Sequence, residues 1–135
     1  MTTTKNNKAI NISLWIAQGL LAAMFIMAGA MKSTQPIEAL AEMLPWANEV
    51  PSALVRFIGI SEVLGGLGLL LPALLRIKPI LTPIAAAGLV VVQVLAAGFH
   101  VTRGENEVIG MNIMLALVAA FIAWGRTKKA PIQAK

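Results

Sequence analysis

Four apolar runs, Ile12–Met31, Ala53–Leu75, Ile80–Phe99 and Val108–Trp124, dominate this 135-residue chain. Each is long enough, or nearly so, to cross a bilayer, which takes about 17–25 residues of helix. In hydrocarbon the backbone polar groups must be satisfied inside their own segment, so each run is expected to be a helix. Composition agrees. The chain is 58% hydrophobic and 13% charged, against about 25% charged residues in a soluble domain. The expected fold is all-α: one transmembrane domain over residues 1–135, built as a four-helix bundle.

The first run resembles a signal peptide in two respects. Lys5 and Lys8 precede it, and "AGA" at Ala28–Ala30 looks like a cleavage site. Its apolar stretch is longer than the roughly 7–15 residues of a signal-peptide core, so a retained helix is expected. Pro72 and Pro83 fall near the end of span 2 and the start of span 3, where a proline breaks few helical hydrogen bonds.

Charge sorts by side. Lys5, Lys8, Arg76, Lys78, Arg126, Lys128, Lys129 and Lys135 fall on one face of the membrane, and Lys32, Arg56 and Arg103 on the other. The acids outside the spans, Glu38, Glu42, Glu49, Glu105 and Glu107, join the second group. The positive-inside rule then places both termini in the cytoplasm, with Trp15 and Trp124 near the inner interface and Trp46 near the outer one. The basic tail, residues 126–135, is explained by topology and by attraction to anionic lipid. In the first outer loop, Ile37, Leu40, Ala41 and Leu44 recur at helical spacing between Pro36 and Pro45. That pattern predicts a short amphipathic helix, either on the membrane surface or capping the bundle, or else simply solvated within the loop.

Spacings of three and four assign the helix faces. Gln18, Ala22, Phe25, Gly29 and Lys32 share one face; Gly59, Glu62, Gly65 and Gly66 share another. So do Gln93, Ala97 and His100, and then Asn112, Ala116, Ala119 and Ala123. Small residues let transmembrane helices approach, and polar residues bond across such contacts. Gly29, Gly59, Gly65 and Gly66 are therefore packing residues. The polar positions concentrate in the outer half of the bundle.

Glu62, flanked by glycines in "GISEVLGGLG", is the residue that most needs explaining. A charge at mid-bilayer costs about 2.5–3.5 kcal/mol on insertion scales, so it needs a partner or a function. Lys32 and Arg56 are candidate partners. A protonated Glu62 bonded to Gln93 is another, since burial disfavours the charged form. Lys32, Arg56, Glu62, Gln93, His100 and Asn112 form the candidate ligand-binding set, with Glu62 as the proton-exchange candidate. Each also has a structural reading, as interhelical glue or as a boundary anchor. Met24, Met27 and Met31 form a packing stripe, because no His or Cys joins them as a copper site requires. The chain has no cysteine, which excludes disulfides and thiolate metal sites; no metal-ligand spacing, phosphate loop or nucleophile triad stands out. Nothing points to nucleic acid.

With these residues in view, the chain resembles the DoxX-like family of small four-helix membrane proteins over about Leu14 to Trp124. The carriers are "FIMAGAMK" closing helix 1, "RFIGISEVLGGLGLLLPAL" for helix 2 and "AAGFHVTRGE" leading out of helix 3. Gly29, Lys32, Gly59, Glu62 and Gly66 match the pattern, with Arg56 at the head of helix 2. The resemblance implies association with thiosulfate-to-quinone oxidoreductase subunits and with membrane complexes of oxidative-stress defence. It implies a redox partner protein, quinone as the cofactor rather than one built into the chain, and a multi-pass location in the bacterial inner membrane.

Three functions compete at this level. The first is a small subunit of a redox system that binds a lipid-soluble ligand. The second is a proton-coupled transporter. Small multidrug transporters also have four short helices and a membrane glutamate, but here the glutamate lies in helix 2 and the charge bias fixes one orientation. The third is a scaffold whose polar seam serves assembly, including contacts between copies through "GGLG" and the alanine-rich faces.

Overall fold

The computed structural model describes residues 4–135, with side chains from Lys8 onward; the side chain of Lys5, one of the expected inner cations, lies outside the described residues. All the regular structure described is helical. The order is α1 (Thr4–Thr34), α2 (Ile37–Met43), a 3₁₀ turn (Pro45–Asn48), α3 (Ser52–Leu75), α4 (Leu81–Thr102) and α5 (Asn106–Trp124), which runs into a π turn (Gly125–Lys129). Lys8–Thr34, Ser52–Leu75, Leu81–Thr102 and Asn106–Lys129 are long and apolar enough to cross a membrane. The helices run up to several residues past the apolar segments. Helical hydrogen bonding continues into the interfacial zone, where polar side chains are tolerated.

The bundle is two helix pairs, α1 with α3 and α4 with α5, joined chiefly through α3 and α4. The α1–α3 contact is the closest. A Cβ built on Gly29 would meet the Gly59 carbonyl oxygen at 2.5 Å and the Val63 nitrogen at 2.7 Å. One built on Gly59 would meet the Gly29 carbonyl oxygen and the Ser33 nitrogen, both at 2.7 Å. Backbone therefore touches backbone at this crossing, and only glycine fits. Gly66 extends the contact, lying against Ile26 and the Ala22 carbonyl, whereas Gly65 turns toward the Leu89 side chain of α4. The four glycines thus serve two seams.

The hydrophobic core occupies the half of the bundle that holds the chain termini. Leu14, Leu21, Ala22, Phe25, Leu69, Ala86, Leu89, Ala119 and Ile122 are all buried there. Polar groups lock this end too. Gln18 donates to the Leu69 carbonyl at 2.6 Å and accepts from Arg126 Nε at 2.6 Å. Arg126 also donates to Asn11 Oδ1 and the Ala130 carbonyl, both at 2.7 Å, and lies over the Trp15 ring. The tail therefore folds back onto the bundle, beyond the topological role read from its charges. Arg126 is buried, and the chain returns to the α3–α4 turn, where Arg76 Nε donates to the Gln133 carbonyl and the Lys135 amide to the Arg76 carbonyl. The reason is chemical: the planar guanidinium spreads its donors over separate nitrogens, so Nε reaches Gln18 while Nη1 reaches Asn11 and Ala130.

At the opposite end, α2 caps the bundle. Leu40 is fully buried and packs with Ala47 and Val55, while Glu38 and Glu42 face outward. Pro45 forces Leu44 out of helical geometry (φ −126°, ψ 84°) and begins the 3₁₀ turn. Trp46 then meets Phe99 of α4 edge-on at 5.9 Å.

Gly29→Ala or Gly59→Ala is expected to force α1 and α3 apart and cost about 1–3 kcal/mol by overpacking. Gly19→Ala, with nothing within 4 Å, is expected to gain roughly 0.5–1 kcal/mol through reduced backbone freedom. Thermal unfolding in detergent, followed by circular dichroism, checks the contrast.

Candidate functional site

The crossing at Gly29 and Gly59 sets the site. Lys32 lies one turn C-terminal to Gly29, and Glu62 one turn C-terminal to Gly59. Every Cα–Cβ bond of a helix tilts toward its N-terminus. Because α1 and α3 are antiparallel, the two side chains lean toward each other across the crossing. Lys32 Nζ reaches Glu62 Oε1 at 2.8 Å, with Glu62 nearly sealed at 5% side-chain exposure. Of the partners open in the sequence, the structure selects Lys32.

Arg56 does something else. Its Nη1 donates to the carbonyl oxygens of Lys32 (3.0 Å) and Gln35 (2.6 Å). These sit at the C-terminal end of α1, where helical carbonyls lack partners and the helix dipole favours a cation. Arg56 is not among the residues lining the cavity described next. It holds the backbone that carries Lys32.

Gln93 is also drawn elsewhere. Asn112 Nδ2 donates to Gln93 Oε1 at 2.8 Å, tying α5 to α4, and leaves Asn112 Oδ1 buried without a hydrogen-bond partner. His100 Nδ1 lies 2.8 Å from Glu105 Oε1. Glu105 also accepts from Arg103 Nε at 2.8 Å, and Arg103 forks onto both carboxylate oxygens of Glu49 at 2.9 and 3.0 Å. The Arg103 hydrogen bond, aided by its charge, holds the Glu49 carboxyl below its ordinary value of 4.5. The same guanidinium, then the bond to His100, holds Glu105 below it as well. Both acids in return push the Arg103 pKa up. An ionised carboxylate only accepts, so Nδ1 of His100 is the donor, and in the neutral ring Nε2 is left as an acceptor.

These groups surround one space. In the capped half the helices leave between them a partly open cavity of about 670 Å³. Lys32, Glu62, Gln93, His100 and Asn112 all line it, so five of the six candidate residues meet there. The rest of the wall is largely apolar, with Phe25, Leu54, Phe57, Ala96 and Met111 among the residues contributed by the four long helices. Trp46 and its neighbours in the α2–α3 connection form the roof, and Glu49–Arg103 ties that roof to the α4–α5 turn. Such a space, apolar-walled with a few convergent polar groups, is the usual form of a small-molecule site.

The sequence reading overlooked two parts. Arg126 continues the helical face of Asn112, Ala116, Ala119 and Ala123 by one more step of three, and that spacing was the available signal. The Glu49–Arg103–Glu105 tie carries no periodic signal, because it joins two loops far apart in sequence.

Glu62→Gln is expected to leave Lys32 without its carboxylate and to cost about 3–5 kcal/mol, the usual penalty for breaking a buried pair. Lys32→Met combined with Glu62→Gln removes both charges and is expected to recover most of that loss in a double-mutant cycle. The roof should also respond to acid. Its two carboxyls lie below 4.5 in the folded protein, so their contribution is complete above pH 4.5 and fades as pH falls below it. Hydrogen exchange of residues 36–50, corrected for intrinsic rate, is expected to accelerate below that point, and Arg103→Ala should produce the same loosening at neutral pH.

With the geometry established, comparison with known proteins gives one match. The family model described as "DoxX-like family" aligns with residues 16–122. Neither a curated protein nor a solved structure matches the chain.

Proposed function

The chain belongs to the DoxX-like family, and from that premise we propose that it is a small membrane subunit of a redox-linked system that binds a quinone in its cavity. With the termini cytoplasmic, as the charge asymmetry favours, the cavity lies in the outer half of the bacterial inner membrane. The observation that carries the reading is the cavity itself: about 670 Å³, apolar-walled, with a buried Lys32–Glu62 pair on one side and His100 on another.

Each polar group has a use in quinone chemistry. Lys32 has three N–H donors and gives one to Glu62, which leaves donors for a ligand carbonyl. Nε2 of His100 is an acceptor suited to the hydroxyl of the reduced form. A proton taken there has a way out, since Nδ1 bonds to Glu105, and Glu105 meets solvent at 29% side-chain exposure. Glu62 would balance the charge of Lys32 and exchange a proton as the ligand cycles. The chain has no cysteine and one histidine, so its own side chains supply no redox centre of the thiolate or bis-histidine kind. Electrons would pass between the quinone and a partner protein.

Protein purified in mild detergent is expected to carry quinone in a near-stoichiometric amount. The charge-free Lys32→Met/Glu62→Gln variant is expected to remain folded and to lose it. Extraction and chromatography of the bound lipids measure both. Quinone absent from both proteins at equal stability would sink the reading and leave a structural role for the pair.

A further inference from the structure

A second hollow adjoins the cavity beyond the polar groups. Between α1 and α5 a groove of about 410 Å³ has buried Leu21 and half-buried Ala17 and Val118 as its floor and exposed Leu20 and Met114 as its rims. Met24 and Leu115 line both the groove and the cavity, so the two spaces adjoin along these side chains. This seam is the least closely packed of the four between long helices. From Met24 back to Ser13 the groove follows α1 for about 16 Å at ~1.5 Å per residue, about half the ~30 Å hydrocarbon thickness. Its one hydroxyl, on Ser13, already donates to the Ala9 carbonyl at 2.9 Å. The groove therefore offers a ligand shape and apolar contact, along the bilayer normal, with no free hydrogen-bond donor.

The two ends of the cavity differ in access. On the aqueous side Trp46 packs on Phe99, and Arg103 clamps Glu49 beside it. On the membrane side the lining residues Met24 and Met111 are exposed, and Met24 leads into the groove. We propose that the ligand is a long-tailed lipid that enters from the bilayer, with its polar head at Lys32, Glu62, Gln93 and Asn112 and its unbranched or prenyl-like tail in the α1–α5 groove. This rests on the reading of the cavity as a ligand site and adds where the rest of the ligand goes. The bilayer is as apolar as the groove, so moving a tail from one to the other gains no hydrophobic free energy. The groove sets the tail's position through packing, and the decisive test is one of position.

A quinone bearing a photoactivatable diazirine near the end of a long tail is added to the protein in lipid nanodiscs and irradiated, and adducts are mapped by mass spectrometry. Adducts are expected on residues 13–24 of α1 and 114–118 of α5. They are expected to fall severalfold in the presence of excess tail-less quinone, which competes for the head site. Ala17→Phe, which fills the groove floor from a position that does not itself line the cavity, is expected to remove them while binding of tail-less quinone is unchanged. Met114→Trp, at an exposed rim, is a second obstruction should Ala17→Phe fold poorly. Competable adducts on another lipid-facing surface, such as Leu64 or Leu74 of α3, or adducts unaffected by both substitutions, would overturn the groove and leave the cavity reading intact. Failure of tail-less quinone to bind the wild type overturns the cavity reading, and this inference with it.

Discussion

The backbone contact between Gly29 and Gly59 is the constraint on which the rest depends. With any Cβ at either position α1 and α3 would stand farther apart, and Lys32 and Glu62 would lose their 2.8 Å contact. The pairing follows from helix chirality and direction. Both side chains lean toward their own N-termini, and antiparallel packing turns those leans toward each other. A lysine and a glutamate, each one turn past a glycine, are thus brought together inside an apolar bundle. Alone, either charge would be costly there.

The bundle divides its work along its length. At the terminal end, large aliphatic side chains fill the space between the helix pairs, and Arg126, Gln18 and Asn11 tie α1, α5 and the returning tail together. At the capped end lies the cavity, and the polar groups there bond in twos rather than packing into a core: Lys32 with Glu62, Asn112 with Gln93, and His100 with Glu105. Each pair gives its members a partner in an apolar surround, with only Asn112 Oδ1 among these groups left buried and unbonded, while leaving capacity for a ligand in the donors of Lys32 and in Nε2 of His100.

Arg56 and Arg103 show how surface-end arginines act at a distance from the cavity. Arg56 fixes the last carbonyls of α1, and so the base from which Lys32 reaches inward. Arg103 joins Glu49 in the roof to Glu105 at the α4–α5 turn. The first positions a site residue, and the second closes the aqueous side. Neither role follows from charge alone, since both depend on which loop comes within reach.

Much of the fold was legible in the chain because the bilayer imposes one-dimensional rules. Run length gave four helices, and spacing by three and four gave their inward faces. Gln18, Ala22 and Phe25 are indeed buried, as are Gly59, Glu62 and Gly66. Pro36 and Pro45 bounded α2, and the family resemblance followed from Gly29, Lys32, Gly59 and Glu62. What the sequence left open was pairing. Lys32, Arg56 and Gln93 were all within reach of Glu62 by depth, and only the crossing of α1 on α3, the free carbonyls at the end of α1 and the amide of Asn112 distributed them. Burial of Arg126 was hidden for the same reason: a basic residue after a span reads as an interfacial charge until the acceptors around it are known. Helix formation and facing are set by neighbours three and four residues away, so the sequence by itself determines them. Cavity, ion pair and buried arginine are set by residues tens of positions apart, and only the tertiary structure, by fixing how closely each pair of helices packs, decides them.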